Sequence, residues 1–176
     1  MNRLWSVAGT LAAAVMAVGL AAAPAAASIG PARPAATGVY LELVNSHTNK
    51  CADVSNKSKS VGAVVHQWSC AHDPNQLWDT EPRPNGDVWL RNLNSGLCMA
   101  ANFPYDNGDL IIQQGCEPDS TDANWQISDD GSGFVKLIQL SSGKCLDLNR
   151  GSRDNGARIQ LWDCDTASNA QDWSFQ

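Results

Sequence analysis

Residues 51–78 read CADVSNKSKSVGAVVHQWSCAHDPNQLW, and the chain then returns to the same frame twice. Residues 98–125 are CMAANFPYDNGDLIIQQGCEPDSTDANW, and residues 145–173 are CLDLNRGSRDNGARIQLWDCDTASNAQDW. The first cysteines, Cys51, Cys98 and Cys145, fall 47 residues apart. The second cysteines, Cys70, Cys116 and Cys164, follow after steps of 46 and 48. Trp78, Trp125 and Trp173 keep the same rhythm, and Gly62, Gly108 and Gly156 each precede a second cysteine by eight residues. Upstream, Leu43, Leu90 and Leu137 stand eight residues before a first cysteine, and Leu41, Val88 and Val135 stand ten before. So many matching offsets define three units of about 47 residues, near 38–84, 85–130 and 131–176.

Within each unit the apolar residues alternate with polar ones, as in Leu41-Glu42-Leu43 and Val135-Lys136-Leu137, a strand signal. Asn85-Gly86, Ser95-Gly96, Asn107-Gly108, Ser142-Gly143 and Asn155-Gly156 supply turns. No stretch sustains a capped 3.6-residue period. Each unit is therefore expected to hold four short strands, twelve in all. Three equal all-β units predict closure about a pseudo-three-fold axis, which removes exposed sheet edges.

Residues 1–27 read as a secretory signal peptide, with Arg3, an apolar run from Leu4 to Leu20, and Ala25-Ala26-Ala27 before Ser28. Residues 28–37, with Pro31 and Pro34, read as a flexible arm. Beyond the leader no run approaches the ~18 apolar residues that span a bilayer. Export would place the chain outside the cell, where disulfides persist. Six cysteines allow 15 pairings, and sequence does not choose among them. Pairing within each unit, Cys51–Cys70, Cys98–Cys116 and Cys145–Cys164, is the simplest that respects the repeat. Each bridge would close about 20 residues, worth roughly 3 kcal/mol of loop entropy.

The formal charge is −6, from 12 basic and 18 acidic residues, with no basic cluster. That excludes a nucleic-acid binder, which needs grouped Lys and Arg to displace counterions. His47, His66 and His72 have no metal-ligand spacing, and Asp129-Asp130-Gly131 lacks the calcium-loop pattern. No cofactor fingerprint is present, and no metal is expected. Nothing calls for a second chain, so a monomer is expected.

Gln76-Leu77-Trp78 and Gln171-Asp172-Trp173, with Cys51-Ala52-Asp53 and Cys145-Leu146-Asp147, resemble the ricin-type lectin family. That family is also found as carbohydrate-binding modules on secreted bacterial glycosidases. The middle unit departs, with Ala123-Asn124-Trp125 in place of Gln-x-Trp. The resemblance implies a β-trefoil, a six-stranded barrel capped by three hairpins, with one potential sugar pocket per repeat. It implies galactose-type or xylose-type glycans as partners.

In the first repeat it implies Asp53 as acceptor and Trp68 as stacking platform, with His66 where the family usually has Gln. Asn75 would bond a hydroxyl and Gln76 would orient Asp53. In the third repeat the slots hold Asp147, Gln160, Trp162 and Gln171; the Asn slot is Ala170, with Asn169 one residue earlier as a possible substitute. The middle repeat holds Ala100, Gln114 and Ala123, and no binding is expected there. A flat aromatic suits the apolar face of a pyranose, and a fixed carboxylate suits adjacent hydroxyls.

Trp78, Trp125 and Trp173 recur even where pocket residues do not, which marks them as core. Trp68 and Trp162 align with Gln114, so that position is expected to face solvent. Trp89 aligns with Glu42 and Lys136 and is likewise expected to face outward. Each pocket is expected to draw on its own repeat alone. Asp53 and Asp147 lie in equivalent slots of different repeats, too far apart for the paired carboxylates of a glycosidase. A non-catalytic binder is expected. Two other classes remain open: a trefoil that blocks a secreted protein, such as a protease, and a targeting subunit for a separate enzyme chain.

Overall fold

The computed structural model describes residues 38–129 and 131–176; the expected leader at 1–27 and arm at 28–37 lie outside the described residues. Twelve strands and four single 3-10 turns make up the regular structure of the described residues. The first repeat gives β1 (Leu41–Asn45), β2 (Cys51–Val54), β3 (Val65–Trp68) and β4 (Leu77–Pro82). The second gives β5 (Val88–Asn92), β6 (Cys98–Ala101), β7 (Ile111–Gln114) and β8 (Trp125–Asp129). The third gives β9 (Val135–Gln139), β10 (Cys145–Leu148), β11 (Ile159–Trp162) and β12 (Trp173–Phe175).

The first and last strands of each repeat form a ring. β1 pairs with β4, β4 with β5, β5 with β8, β8 with β9, β9 with β12, and β12 with β1, all antiparallel. The ring is closed, so none of its six strands is a free edge. The inner strands of each repeat form the hairpins β2–β3, β6–β7 and β10–β11. Isolated bridges Val64–Ile112, Leu110–Gln160 and His66–Arg158 tie each hairpin to the other two. This is a β-trefoil, with one barrel and three hairpins about a pseudo-three-fold axis.

Trp78, Trp125 and Trp173 are fully buried in one core with Leu43, Leu90 and Leu137. Burying an indole strands its N–H unless a partner is present. Each repeat solves this alike: Trp78 Nε1 donates to Ala52 O at 3.0 Å, Trp125 to Met99 O at 2.9 Å, and Trp173 to Leu146 O at 3.0 Å. Disulfides join Cys51–Cys70, Cys98–Cys116 and Cys145–Cys164, one within each repeat.

Alternation along β1, β5 and β9 picks out the core face correctly but misjudges the other face. Trp89, expected outside, is only 8% exposed. The loop that follows each second cysteine covers this position, and a different partner meets each residue there. Glu42 lies 3.1 Å from His72 Nδ1, Lys136 donates to Asp172 at 2.7 Å, and Trp89 Nε1 donates to Asn124 Oδ1 at 3.0 Å.

Candidate functional site

In the first repeat, β2 carries Asp53 opposite His66 of β3. A 3-10 turn at Pro74–Gln76 brings Asn75 and Gln76 behind the same carboxylate. Asn75 Nδ2 and Gln76 Nε2 each donate to Asp53 Oδ2 at 2.8 Å. His66 Nε2 lies 3.1 Å from Oδ1. A carboxylate only accepts, so that nitrogen carries the proton. Asp53 is 6% exposed yet lines a cavity of about 360 Å³. Trp68, 44% exposed, forms one wall, and the His66 ring stacks on it at 5.5 Å between centroids. Asn75 Nδ2 also donates to Val54 O at 3.1 Å, which leaves Asn75 Oδ1 buried without a partner.

The third repeat repeats the plan with fewer donors. Gln160 Nε2 donates to Asp147 Oδ1 at 2.9 Å, and Gln171 Nε2 to Oδ2 at 3.2 Å. Ala170 supplies nothing in the Asn75 slot. Asn169 does not substitute: it is exposed and absent from the cavity lining. Trp162 is 44% exposed on the rim. The cavity is about 600 Å³, and Arg150 and Arg158 line its mouth. Gln76 and Gln171 share a second task, donating to Ser69 O and Asp163 O at 3.0 Å and accepting from Ala71 N and Asp165 N at 2.8 Å.

The middle repeat is filled. Ala100, Ala123 and Cys98 pack with Trp89 in a small apolar cluster of their own. The Arg83 guanidinium lies 4.3 Å from the Trp89 ring centroid and donates to Asn124 Oδ1 at 2.5 Å. Beside it Gln114 Nε2 donates to Asp122 Oδ2 at 2.9 Å, and Tyr105 Oη donates to Asp122 Oδ1. Burial, then the bond to Asp122, pushes the Tyr105 phenol up to about 12.

The first pocket is lined by residues of its own repeat alone, whereas the third, contrary to expectation, is not. Gly108 of the second repeat lines the third pocket. Behind each of the three positions, open or filled, a buried amide of the following repeat holds the loop. Asn92 Nδ2 donates to Asn75 O at 3.1 Å, Gln139 Nε2 to Thr121 O at 3.0 Å, and Asn45 Nδ2 to Ala170 O at 3.0 Å. A comparison of Asn45, Asn92 and Gln139 across the three repeats carries the signal for this bracing.

The family model of the ricin-type β-trefoil lectin domain matches residues 39–173. Nigrin b of Sambucus nigra is 31% identical over 101 residues, which are 57% of this chain and 16% of nigrin b. The designed three-fold symmetric protein ThreeFoil is 30% identical with a TM-score of 0.74, covering 77% of this chain and 96% of its own. An exo-β-1,3-galactanase of Clostridium thermocellum is 26% identical with a TM-score of 0.73, covering 79% of this chain and 30% of the galactanase. The closed ring, the repeated indole bonds and the match across 39–173 agree: the chain belongs to the ricin-type β-trefoil lectin domain family.

Proposed function

We propose that this chain is a secreted, non-catalytic carbohydrate-binding protein with sugar pockets in the first and third repeats and none in the second. One observation carries the reading. Asp53 and Asp147 are each held from behind by side-chain amides, with lone pairs left toward a cavity walled by a half-exposed Trp. A pyranose would lay its apolar face on the indole and donate adjacent hydroxyls to the carboxylate. In the middle repeat the carboxylate, its orienting amide and the platform are absent together.

Galactose-type or xylose-type units are the ligands the family resemblance implies. Shallow single sites would bind them at about −4 to −5.5 kcal/mol, millimolar to sub-millimolar. Two sites on one body could raise polymer retention by 10²–10⁴ where spacing fits. No catalytic step is assigned, because the two carboxylates serve separate pockets. Calorimetric titration with each monosaccharide counts the sites, and two are expected. A count of three would overturn the closed middle repeat. Retention of a protein partner with no sugar bound would favour the protein-blocking trefoil. Export with a new N-terminus at Ser28, read by N-terminal sequencing, is the expected processing.

A further inference from the structure

Each hairpin turn reaches across to the strand that carries another repeat's platform position. Gly108 N donates to Leu161 O at 2.8 Å, Gly156 N to Gln67 O at 2.8 Å, and Gly62 N to Gln113 O at 2.8 Å. Gly108 and Gly156 adopt φ of 95° and 83°, which a side chain would strain. A Cβ on Gly156 would lie 3.9 Å from Trp68 Cζ3, so this turn of the third repeat abuts the first platform.

At two of the three crossings the residue before the glycine is Asn, and it grips the residue after the platform. Asn107 Nδ2 donates to Asp163 Oδ2 at 2.8 Å, and its Oδ1 accepts from Asp163 N at 2.9 Å. Lys144 Nζ donates to Asn107 Oδ1 at 2.9 Å and to Asp163 Oδ1 at 2.5 Å. Asn155 Oδ1 accepts from Ser69 N at 3.1 Å, Ser69 Oγ at 3.2 Å and Lys50 Nζ at 2.5 Å. At the third crossing the corresponding residues are Val61, Gly115 and Leu97, and the platform position is Gln114. Three positions drawn from two repeats therefore change together with the platform.

Resting on the two-pocket reading above, we propose that Asn155 and Asn107 are positioning residues that act across repeat boundaries, Asn155 setting the Trp68 platform and Asn107 the Trp162 platform. Stacking rewards an indole only when its plane is already fixed, since otherwise the ligand must order it. A half-exposed indole has solvent on its ligand-facing side, so its backbone neighbours, and for Trp68 the stacked His66 ring as well, must fix it. The hydrogen bond from Lys144, and then that from Asn107, hold the Asp163 carboxyl below its usual range, which keeps it charged as the clamp requires.

The two clamps are unequal. Gln67 Nε2 also holds the third repeat's turn, through Ser152 O at 2.5 Å and Asp154 O at 2.8 Å. Gln113 Nε2 does the same for the first repeat's turn, through Ser58 O and Ser60 O. The matching residue facing the second repeat's turn is Leu161, which has no such donor. Arg158 Nη1 reaches Gly108 O there instead, at 3.4 Å, a longer bond than the two from Gln67, so Asn107 carries more of the restraint than Asn155.

The test uses one-pocket backgrounds: Asp147→Ala leaves the first pocket and Asp53→Ala leaves the third. Galactose and xylose are titrated into each background with and without Asn155→Val or Asn107→Val, the residue being that found at position 61. Asn155→Val is expected to weaken only the first pocket and Asn107→Val only the third, each by about threefold to tenfold, the span of one stacking contact. The Asn107 loss should be the larger. Indole N–H spectra read the clamp without sugar: Asn155→Val should move the Trp68 signal alone, and Asn107→Val the Trp162 signal alone. If Asn107→Val lowers the thermal midpoint, Lys144→Met removes a partner of the same clamp instead. Unmoved platform signals, or losses that stay within the mutated repeat, overturn the proposal. Absence of sugar binding in the unmodified backgrounds overturns the two-pocket reading instead, and the indole spectra still decide the clamp.

Discussion

The first and second repeats set different chemistry in the same slots. Where the first has Asp53, Gln76 and Glu42, the second has Ala100, Ala123 and Trp89. Removing a buried carboxylate alone would strand the amide that donates to it. Removing both would leave a void, which also costs stability. Trp89 turns in to close that void, with Asn124 taking its N–H and Arg83 capping its ring. A closed pocket is thus a coordinated apolar substitution rather than the loss of one residue. Three contrasts between the repeats follow from this, in falling order of effect.

The sharpest is the double change Asp53→Ala with Asp147→Ala. Retention on a galactose- or xylose-bearing polymer should vanish, while each single change leaves one working site. Retention that survives the double change would erase the distinction between open and closed repeats.

Next, Trp89→Ala should destabilise the fold by about 3–5 kcal/mol, as large core truncations do. Trp68→Ala should stay within about 0.5 kcal/mol in stability, as surface changes do, and lose first-pocket affinity. Denaturant unfolding of both variants separates them. Equal effects would mean that Trp89 does not fill the second repeat.

The smallest concerns Tyr105 at the edge of the closed pocket. Its pKa is raised above the unfolded value of 10.0, to about 12, so the neutral phenol favours the folded state. That contribution is whole below the unfolded value and fades as pH rises through the folded one. Ultraviolet titration of the phenolate band should show one tyrosine ionising near 12, and Tyr105→Phe should remove that step. Ionisation near the ordinary value would mean that in solution the phenol is neither buried nor bonded to Asp122 as the structure has it.

The architecture was legible because each of its devices is written three times. The cysteine pairs, the glycine turns and the core tryptophans recur at fixed offsets, and closure follows from their equality. The exposure of Trp68 and Trp162 was legible by difference, since a core Trp does not give way to Gln at position 114, and both indoles are 44% exposed. Trp89 misled because alternation names a face of a strand and not the loop that covers it. Asn107 and Asn155 were missed because a hairpin turn in sequence says nothing about which repeat it leans on. The signal was nonetheless there, in Val61, Asn107 and Asn155 read beside Leu97 and Lys144.

The barrel ring has a further meaning. β1 and β12 join through Glu42 N to Gln176 O at 2.9 Å and Gln176 N to Glu42 O at 3.0 Å. This seam is of the same kind as the β4–β5 and β8–β9 pairings, which cross from repeat to repeat elsewhere in the ring. A ring of equivalent units has no privileged first member. Linking residue 176 to residue 38 and opening the chain at the exposed Asn85-Gly86 turn would change the order of synthesis and break no strand pairing. Such a circular permutant should keep all three bridges and both open pockets, because what the fold requires is the cyclic order of its repeats and not their starting point.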